Sequence, residues 1–413
     1  MSKKAILVKR NYPKALNLKH QVQLKEFIEL AESAGYEVVD IVVQTREMDR
    51  RYQIGSGKIH FLAEIVQSTK ADKLIFYNKL SVIQLYNISK VCGVDVIDKF
   101  HLILEIFAQR ASTKIAQLQV ELAKLEYELP KAKAIVSLAK KEEHPGFMSV
   151  GGYEESQLQD IKRRISKIRE DLKVIGKKEN AMRSRRREHG IALIALAGYT
   201  NAGKSTLLNA LTNENIQVDN KLFTTLSPTT RAINIKGRRA LLTDTVGFIE
   251  DLPHWMVDAF RSTLDEIFLA DVILLVVDVS DSLEEIQRKL KTCYDTLWGK
   301  IKNTPIITVF NKIDLISKEK KKEIKKVIKT QNLVFVSAKK SSGFEELKEV
   351  IYKNLPTWKR AKIKLPLAKE SMSVLSWLYE DADLIKVTYN SEINVEFEAR
   401  EEVVNKVCNE YDG

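Results

Sequence analysis

The sequence predicts an α/β protein in four parts, and three observations carry the prediction. Strand-length apolar runs alternate with amphipathic helical patterns over residues 1–100 and again over 189–357. Two heptad seams occupy residues 101–188 between them, and residues 358–413 read as a small α+β segment. The 413 residues are 44% hydrophobic, which excludes a wholly disordered or fibrous chain.

The first part alternates strands and helices. The expected strands are residues 5–8, 38–43, 74–77 and 94–97, and the expected helices are 22–31, 59–66 and 82–91. This alternation predicts a small parallel sheet with flanking helices. The string GSGK at residues 55–58 lacks the spacing of a phosphate-binding loop, so we expect a tight turn that caps the following helix.

The second part carries two coiled-coil seams. Residues from Leu104 to Leu129 follow a 4-3 spacing that loses its regularity at Pro130, and a second seam joins Leu158 to Ile175. Glycine and proline at residues 145–152 separate the seams. We expect an antiparallel hairpin of helices about 20–25 residues long, which projects from the protein.

The third and fourth parts return to strands. Five near-continuous apolar runs indicate strands buried on both faces: residues 191–197, 240–243, 272–277, 305–310 and 333–336. After Pro356, the expected strands are 362–365, 384–389 and 393–397, with an amphipathic helix near 372–379. No apolar run approaches the roughly 20 residues of a membrane span.

The number and spacing of the cysteines argue against a disulfide-rich protein and against a zinc-binding protein. The three cysteines, Cys92, Cys293 and Cys408, lie far apart, which is typical neither of a disulfide framework nor of a zinc site. The N-terminus lacks the apolar stretch of a signal peptide. These features predict a cytoplasmic protein.

Residues 198–205 read GYTNAGKS and match the phosphate-binding pattern GxxxxGK[ST]. The string follows an apolar strand and precedes a helical pattern, which is the context that the motif needs. Backbone N–H groups of such a loop converge on phosphate oxygens at a helix N-terminus. Lys204 can then bridge the β- and γ-phosphates, and Ser205 can ligate Mg²⁺.

Three further motifs follow the later strands in order. In DTVG (244–247), Asp244 can hold Mg²⁺ through water, and the Gly247 N–H can meet the γ-phosphate. In NKID (311–314), the Asp314 carboxylate can accept the N1–H and amino group of guanine, which adenine does not offer. In SAK (337–339), the Ala338 N–H can read the guanine O6. Together the four motifs predict a GTPase domain.

A threonine between the first two motifs is expected to complete the Mg²⁺ shell and to order with the γ-phosphate. The residues alone leave four candidates open, which are Thr224, Thr225, Thr229 and Thr230.

The strings GYTNAGKST, LFTTLSPTTR (222–231) and DTVGFIEDLP (244–253) resemble the HflX family of translation-associated GTPases, and the likeness extends over nearly the whole chain. The resemblance implies that Thr225 is the Mg²⁺-ligating threonine beside Ser205. It also implies association with the large ribosomal subunit and its rRNA, with splitting or rescue of ribosomes stalled under stress.

Lys204, Thr225 and Gly247 are the expected catalytic residues. The expected GTP- and GDP-binding residues are Gly198, Tyr199, Thr200, Asn201, Ala202, Gly203, Lys204, Ser205, Thr206, Phe223, Thr224, Thr225, Leu226, Ser227, Asp244, Thr245, Val246, Gly247, Asn311, Lys312, Ile313, Asp314, Ser337, Ala338 and Lys339.

Two positions depart from related patterns. Phe248 stands where Ras-like enzymes place a water-orienting glutamine, so we expect slow unaided hydrolysis and stimulation by a partner. The family shares this apolar substitution. Residues 151–158 read GGYEESQL and lack the family's usual Gly-Pro-Gly, which affects whatever contact those glycines make.

Positive charge concentrates on the second arm of the hairpin. Lys and Arg outnumber Asp and Glu by 67 to 55 in the chain, and residues 162–187 alone carry twelve against three. We expect this arm to contact phosphates of structured RNA rather than DNA. Two alternatives stay open, namely a membrane-surface switch that binds anionic lipid at the hairpin and an RNA-remodelling enzyme that also uses ATP.

Overall fold

The computed structural model describes residues 3–13, 17–142, 151–188, 191–212, 223, 228–248, 266–297, 301, 304–330 and 332–411. They form two compact units. The first contains the described residues up to Lys173 together with Phe223, and the second contains the other described residues from Val174 onward.

The first unit contains a four-stranded parallel sheet in the order β2-β1-β3-β4. Its strands are β1 (Lys3–Asn11), β2 (Tyr36–Thr45), β3 (Lys73–Phe76) and β4 (Asp95–Asp98), and its helices are α1 (Asn17–Ser33), α2 (Ser56–Thr69), α3 (Val82–Cys92) and α4 (Lys99–Arg110). The predicted alternation is confirmed. Gly55 caps α2 by accepting the Ile59 N–H, as expected of a turn rather than a phosphate loop.

Two long helices follow, α5 (Lys114–Glu142) and α6 (Gly151–Glu188). Leu122 and Leu125 of α5 are buried, as are Ile165 and Ile168 of α6, in agreement with the predicted seams. The helices are longer than predicted, at 29 and 38 residues, and α6 already includes the glycines at 151–152. Residues 143–150, between the two helices in the sequence, lie outside the described residues.

The first seam belongs to two helices, so the prediction of one continuous helix from Leu104 is wrong. Helix α4 ends at Arg110 and α5 begins at Lys114. The Thr113 hydroxyl accepts the Ala116 N–H at 3.2 Å and so caps the start of α5. A break of three residues keeps the apolar spacing and is therefore invisible in the heptad pattern.

Pro130 does not end the helix, although a proline removes one backbone donor. Side chains on both sides of it are anchored. The Tyr127 hydroxyl donates to Asp98 Oδ2 at 2.6 Å, and the Lys131 ammonium lies 4.0 Å from the centroid of the Tyr127 ring. These contacts stabilise the turn that contains Pro130.

The second unit contains a six-stranded sheet in the order β10-β9-β8-β5-β7-β6. The strands are β5 (Ala192–Gly198), β6 (Thr229–Ile235), β7 (Arg238–Asp244), β8 (Val272–Asp278), β9 (Ile306–Asn311) and β10 (Leu333–Phe335); the helices are α7 (Lys204–Thr212), α8 (Leu283–Leu297), α9 (Lys318–Val327) and α10 (Phe344–Asn354). All pairs are parallel except β6 with β7. The five predicted strands are confirmed, whereas β6 was not predicted.

The C-terminal segment forms an antiparallel sheet in the order β11-β13-β12. Its elements are β11 (Trp358–Pro366), α11 (Lys369–Asp381), β12 (Asp383–Tyr389), β13 (Glu392–Arg400) and α12 (Glu401–Tyr411), of which α12 was not predicted. Arg400 forms a 2.8 Å ion pair with Asp271, directly before β8. Over the described part of the chain, no helix has the length and apolarity to cross a membrane.

Candidate functional site

The four sequence motifs meet at one edge of the six-stranded sheet. Strands β5, β7 and β9 end at Gly198, Asp244 and Asn311, and Ser337 follows two residues after β10. Parallel strands bring their carboxyl ends to a common edge, where α/β folds bind ligands. The sequence order of the motifs therefore becomes a spatial cluster.

The phosphate-binding loop joins β5 to α7. Gly203 has a φ of 90°, and a Cβ there would stand 2.3 Å from Asn311 Nδ2, so only glycine fits. Lys204 is buried, and its ammonium donates to the carbonyls of Gly198 and Tyr199 at 3.2 and 2.9 Å. Burial lowers the pKa of the Lys204 ammonium, and the nearby Asp244 carboxylate partly offsets this effect.

Ser205 and Asp244 face each other at the start of α7. Ser205 Oγ donates to Asp244 Oδ2 at 2.6 Å, and Asp244 is 1% exposed. A hydroxyl and a carboxylate oxygen are ligands that suit Mg²⁺. Among the described residues, no group of three His, Cys, Asp or Glu side chains forms a metal site. The donor set thus fits a magnesium ion that takes its other ligands from phosphates and water.

The DTVG segment packs directly on the phosphate-binding loop. The Phe248 N–H donates to the Gly198 carbonyl at 3.0 Å, and the Thr200 N–H donates to the Phe248 carbonyl at 2.9 Å. A Cβ at Gly247 would stand 2.9 Å from both the Thr200 Cα and the Lys204 Nζ. Phe248 is 4% exposed, so its ring lies in the interior rather than in solvent.

Asn311 connects the remaining loops. Its amide nitrogen donates to the Ala202 carbonyl at 3.0 Å, and its Oδ1 accepts the Ala338 N–H at 2.9 Å. The phosphate-binding loop, NKID and SAK are thereby held by one buried side chain. The Ala338 N–H, which was expected to face the guanine O6, donates to Asn311 in this structure. To bind O6 as well, it must donate to both acceptors or give up the hydrogen bond to Asn311.

Ser337, the first residue of SAK, orients the Asp314 carboxylate. Ser337 Oγ donates to Asp314 Oδ1 at 2.5 Å and accepts the Lys340 N–H at 3.1 Å. The Ser337 hydrogen bond is the main cause that lowers the pKa of the Asp314 carboxyl. An ionised carboxylate in a fixed orientation is the acceptor that the guanine edge requires.

Other predicted residues are not among those that the structure brings together at this edge. Phe223 is buried in the first unit, where its ring meets the Phe107 ring edge-on at 4.6 Å between centroids. Thr224, Thr225, Leu226 and Ser227 lie outside the described residues. Thr229 and Thr230, two of the open magnesium candidates, belong to β6, and the Thr230 hydroxyl lies 2.9 Å from that of Thr243.

Asp278 is a residue of this edge that the sequence motifs do not reveal. It ends β8, and its Oδ2 forms a 2.6 Å ion pair with Lys312 Nζ. The available signal was its position after a buried strand, shared with Asp244 and Asn311. No motif string contains Asp278, so that signal was not used.

Family models cover most of the chain. The model described as GTP-binding GTPase N-terminal matches residues 21–108, and the model described as GTP-binding GTPase Middle Region matches 110–186. Residues 193–312 match the model described as 50S ribosome-binding GTPase, and 285–356 match the C-terminal region of that domain.

Full-length relatives agree with these matches. The chain is 43% identical to GTPase HflX of Methanocaldococcus jannaschii, over 93% of this chain and 94% of the relative. It is 40% identical to GTPase HflX of Thermococcus kodakarensis, over 90% and 87% of the two chains. The crystal structure of a protein named SsGBP in complex with GDP matches with a TM-score of 0.51 and 31% identity, over 85% and 98% of the two chains.

Proposed function

Because the chain belongs to the HflX family of GTPases, we propose that it binds the large ribosomal subunit and acts on stalled ribosomes. GTP hydrolysis at the sheet edge would time its release from the subunit. The match of residues 193–312 to a family described as ribosome-binding supports this partner. We propose more specifically that the protein dissociates or rescues ribosomes that stall under stress.

The main observation that supports a ribosomal partner is a basic surface on α6 that includes unpaired cations. Lys162, Arg163 and Lys167 are exposed, and none of them has an ion-pair partner within the described ranges. Arg164 and Arg169, in contrast, pair with Glu121 and Glu126 of α5 at 2.6 and 2.7 Å. The surface thus presents cations that are free to meet phosphates, next to others that pair with carboxylates of α5.

A lipid partner fits this helix less well. A helix that lies on a membrane exposes apolar residues beside its basic ones. Of the large hydrophobic side chains that the structure describes on α6, only Val174 is mostly exposed. Phosphates of folded rRNA, which require no apolar insertion, are the better match to this surface.

At the nucleotide site, each residue has a proposed role. Lys204 neutralises the β- and γ-phosphates, and the N–H groups at the start of α7 bind phosphate oxygens. Ser205 would hold Mg²⁺, with Asp244 acting through a water molecule. A bound Mg²⁺ neutralises phosphate charge during hydrolysis. Asp314 selects guanine, which argues against ATP use at this site.

The proposed switch consists of the Thr225 loop and the DTVG loop. Thr225 is expected to complete the metal shell only with GTP, so the loop orders with the γ-phosphate and loosens after hydrolysis. The contacts of Gly247 and Phe248 with the phosphate-binding loop support a role for the second loop. The four-part domain division and the residue roles remain our predictions.

Sedimentation with purified large subunits tests the partner. We expect the protein to pellet with them in the presence of a non-hydrolysable GTP analogue and to stay in the supernatant with GDP. Equal pelleting with both nucleotides would contradict the proposed nucleotide switch. No pelleting with either nucleotide would contradict the proposed ribosomal partner. Vesicles of anionic lipid, spun under the same conditions, should leave the protein in the supernatant.

A further inference from the structure

The NKID lysine is held by a carboxylate outside every motif, and we infer that Asp278 is a positioning residue for guanine-nucleotide binding. Asp278 Oδ2 accepts Lys312 Nζ at 2.6 Å. The side chains are 13% and 27% exposed, so the pair is largely shielded from water. The inference depends on the proposed nucleotide site and not on the ribosome.

Asp278 is itself fixed in orientation. Its Oδ1 accepts both the Ser280 N–H at 2.9 Å and the Ser280 hydroxyl at 2.6 Å. The second oxygen is therefore presented to Lys312 in one geometry. A carboxylate whose rotamer is set by its own loop loses little entropy when it pairs, which makes the ion pair more effective than one between two mobile side chains.

The paired ammonium also reaches the phosphate-binding loop. Lys312 Nζ donates to the Asn201 carbonyl at 3.0 Å, so its side chain spans from NKID to the loop that precedes α7. The backbone of Lys312 has a φ of 67°, a left-handed conformation that costs free energy for a residue other than glycine. Asp278 thus fixes a bridge between the base-binding and phosphate-binding loops.

Removal of the carboxylate should release this bridge without unfolding the loop. The loop that carries Asp278 has independent backbone support, since the Val279 N–H donates to the Asn311 carbonyl at 3.1 Å. Lys320 Nζ also donates to the carbonyls of Ser280 and Asp281 at 3.0 and 2.6 Å. The freed Lys312 ammonium, already partly exposed, would turn toward solvent.

The same loop provides a matched control. Asp281 forms an ion pair with Lys289, also at 2.6 Å, and the two side chains are 16% and 18% exposed. Asp281→Asn removes a carboxylate of similar burial and a similar ion pair. Lys289 belongs to α8, and its ion pair is with Asp281 rather than with a residue of the Lys312 bridge, so we expect the bridge to persist in this variant.

The experiment measures GDP and GTP binding by titration of the full chain, without ribosomes, together with thermal unfolding of the nucleotide-free protein. We expect Asp278→Asn to weaken both nucleotides about tenfold, the size of a lost hydrogen bond to a charged group. The ratio of GTP to GDP affinity should stay constant, because the bridge does not touch the γ-phosphate. Asp281→Asn should change nucleotide affinity less than about threefold while it lowers the unfolding temperature to a similar extent.

A double-mutant cycle separates positioning from general damage. With Lys312→Met in place, the additional change Asp278→Asn should have almost no further effect on GDP affinity. A full tenfold loss in that background, or equal losses for Asp278→Asn and Asp281→Asn, would overturn the inference. Unchanged GDP affinity in Lys312→Met alone would overturn the nucleotide-site assignment and this inference with it.

Discussion

Ser205 Oγ donates a 2.6 Å hydrogen bond to Asp244 Oδ2, which joins the first residues of α7 to the end of β7. The two residues lie 39 positions apart in different motifs and meet because β5 and β7 are neighbouring parallel strands. Their oxygens form the part of the proposed magnesium site that the structure describes. Metal dependence is therefore the first property to test.

Ser205→Ala should weaken Mg²⁺-dependent GTP binding by about tenfold or more, because it removes the proposed metal ligand and leaves Asp244 without this donor. Titration of a fluorescent GTP analogue with Mg²⁺ and with EDTA measures the effect. Thr212→Ala is the control, since it removes a hydroxyl at the far end of α7 whose hydrogen bonds within the described residues go to backbone carbonyls. A variant of Ser205 that keeps its full Mg²⁺ response would refute the assignment.

Thr225→Ala should weaken GTP much more than GDP, because this threonine is expected to act together with the γ-phosphate. Paired titrations with the two nucleotides measure the difference. If Thr224→Ala shows the same selectivity instead, the metal ligand is Thr224 rather than Thr225. Thr229→Ala should show none, since Thr229 already belongs to strand β6 and does not need the γ-phosphate to become ordered.

Asp314→Asn should weaken GTP and improve xanthosine triphosphate, because an amide can donate to the O2 that replaces the guanine amino group. Competition between the two nucleotides gives the ratio directly. Ser337→Ala should weaken GTP without favouring xanthine, since it removes only the hydroxyl that orients Asp314. Full GTP affinity in Asp314→Asn would show that another group reads the base.

Thiol labelling tests the packing of both units. Burial raises the pKa of the Cys92 thiol to about 11 and that of Cys293 to about 12, so both stay protonated and unreactive at pH 8. Cys408 is less buried, and we expect one fast-reacting thiol that Cys408→Ser abolishes. The other two should react only after denaturation. Two or three fast thiols in the folded protein would contradict this packing.

The parallel strands of the two larger sheets could be predicted, mainly because strands buried on both faces leave continuous apolar runs. Strand β6 was missed because it lies at the sheet edge, where its pattern alternates and exposes residues such as Ala232 and Asn234. The break between α4 and α5 was missed for a different reason. It depends on a Thr113 cap, a local hydrogen bond that apolar spacing does not record.

The candidate site was predictable as far as motif strings extend. Lys204, Ser205, Asp244, Asn311 and Asp314 lie together because each follows a strand of one sheet. Contacts between side chains were not predictable. The Asp278 ion pair with Lys312 requires the strand order, and the commitment of the Ala338 N–H to Asn311 requires the loop geometry.

The same limit applies to the basic helix α6. Arg164 is one of the twelve Lys and Arg residues between positions 162 and 187, but only the structure shows that it pairs with Glu121. Charge reversal at Lys162, Arg163 and Lys167 therefore tests the exposed surface better than a change that includes Arg164. Arg164→Gln becomes the control, since it removes a positive charge from the same helix without removing an unpaired cation.

GTP hydrolysis with and without large ribosomal subunits tests the central claim most directly. With Phe248 in place of a water-orienting glutamine, unaided turnover should be slow, near about 10⁻⁴–10⁻³ s⁻¹, the intrinsic range of Ras. Subunits should raise it at least about tenfold at low salt and less at high salt. Changing Lys162, Arg163 and Lys167 to Glu should remove most of this stimulation and leave basal GTP binding intact, whereas Arg164→Gln should retain it. Full stimulation of the triple variant, or none of the parent protein, would contradict the account.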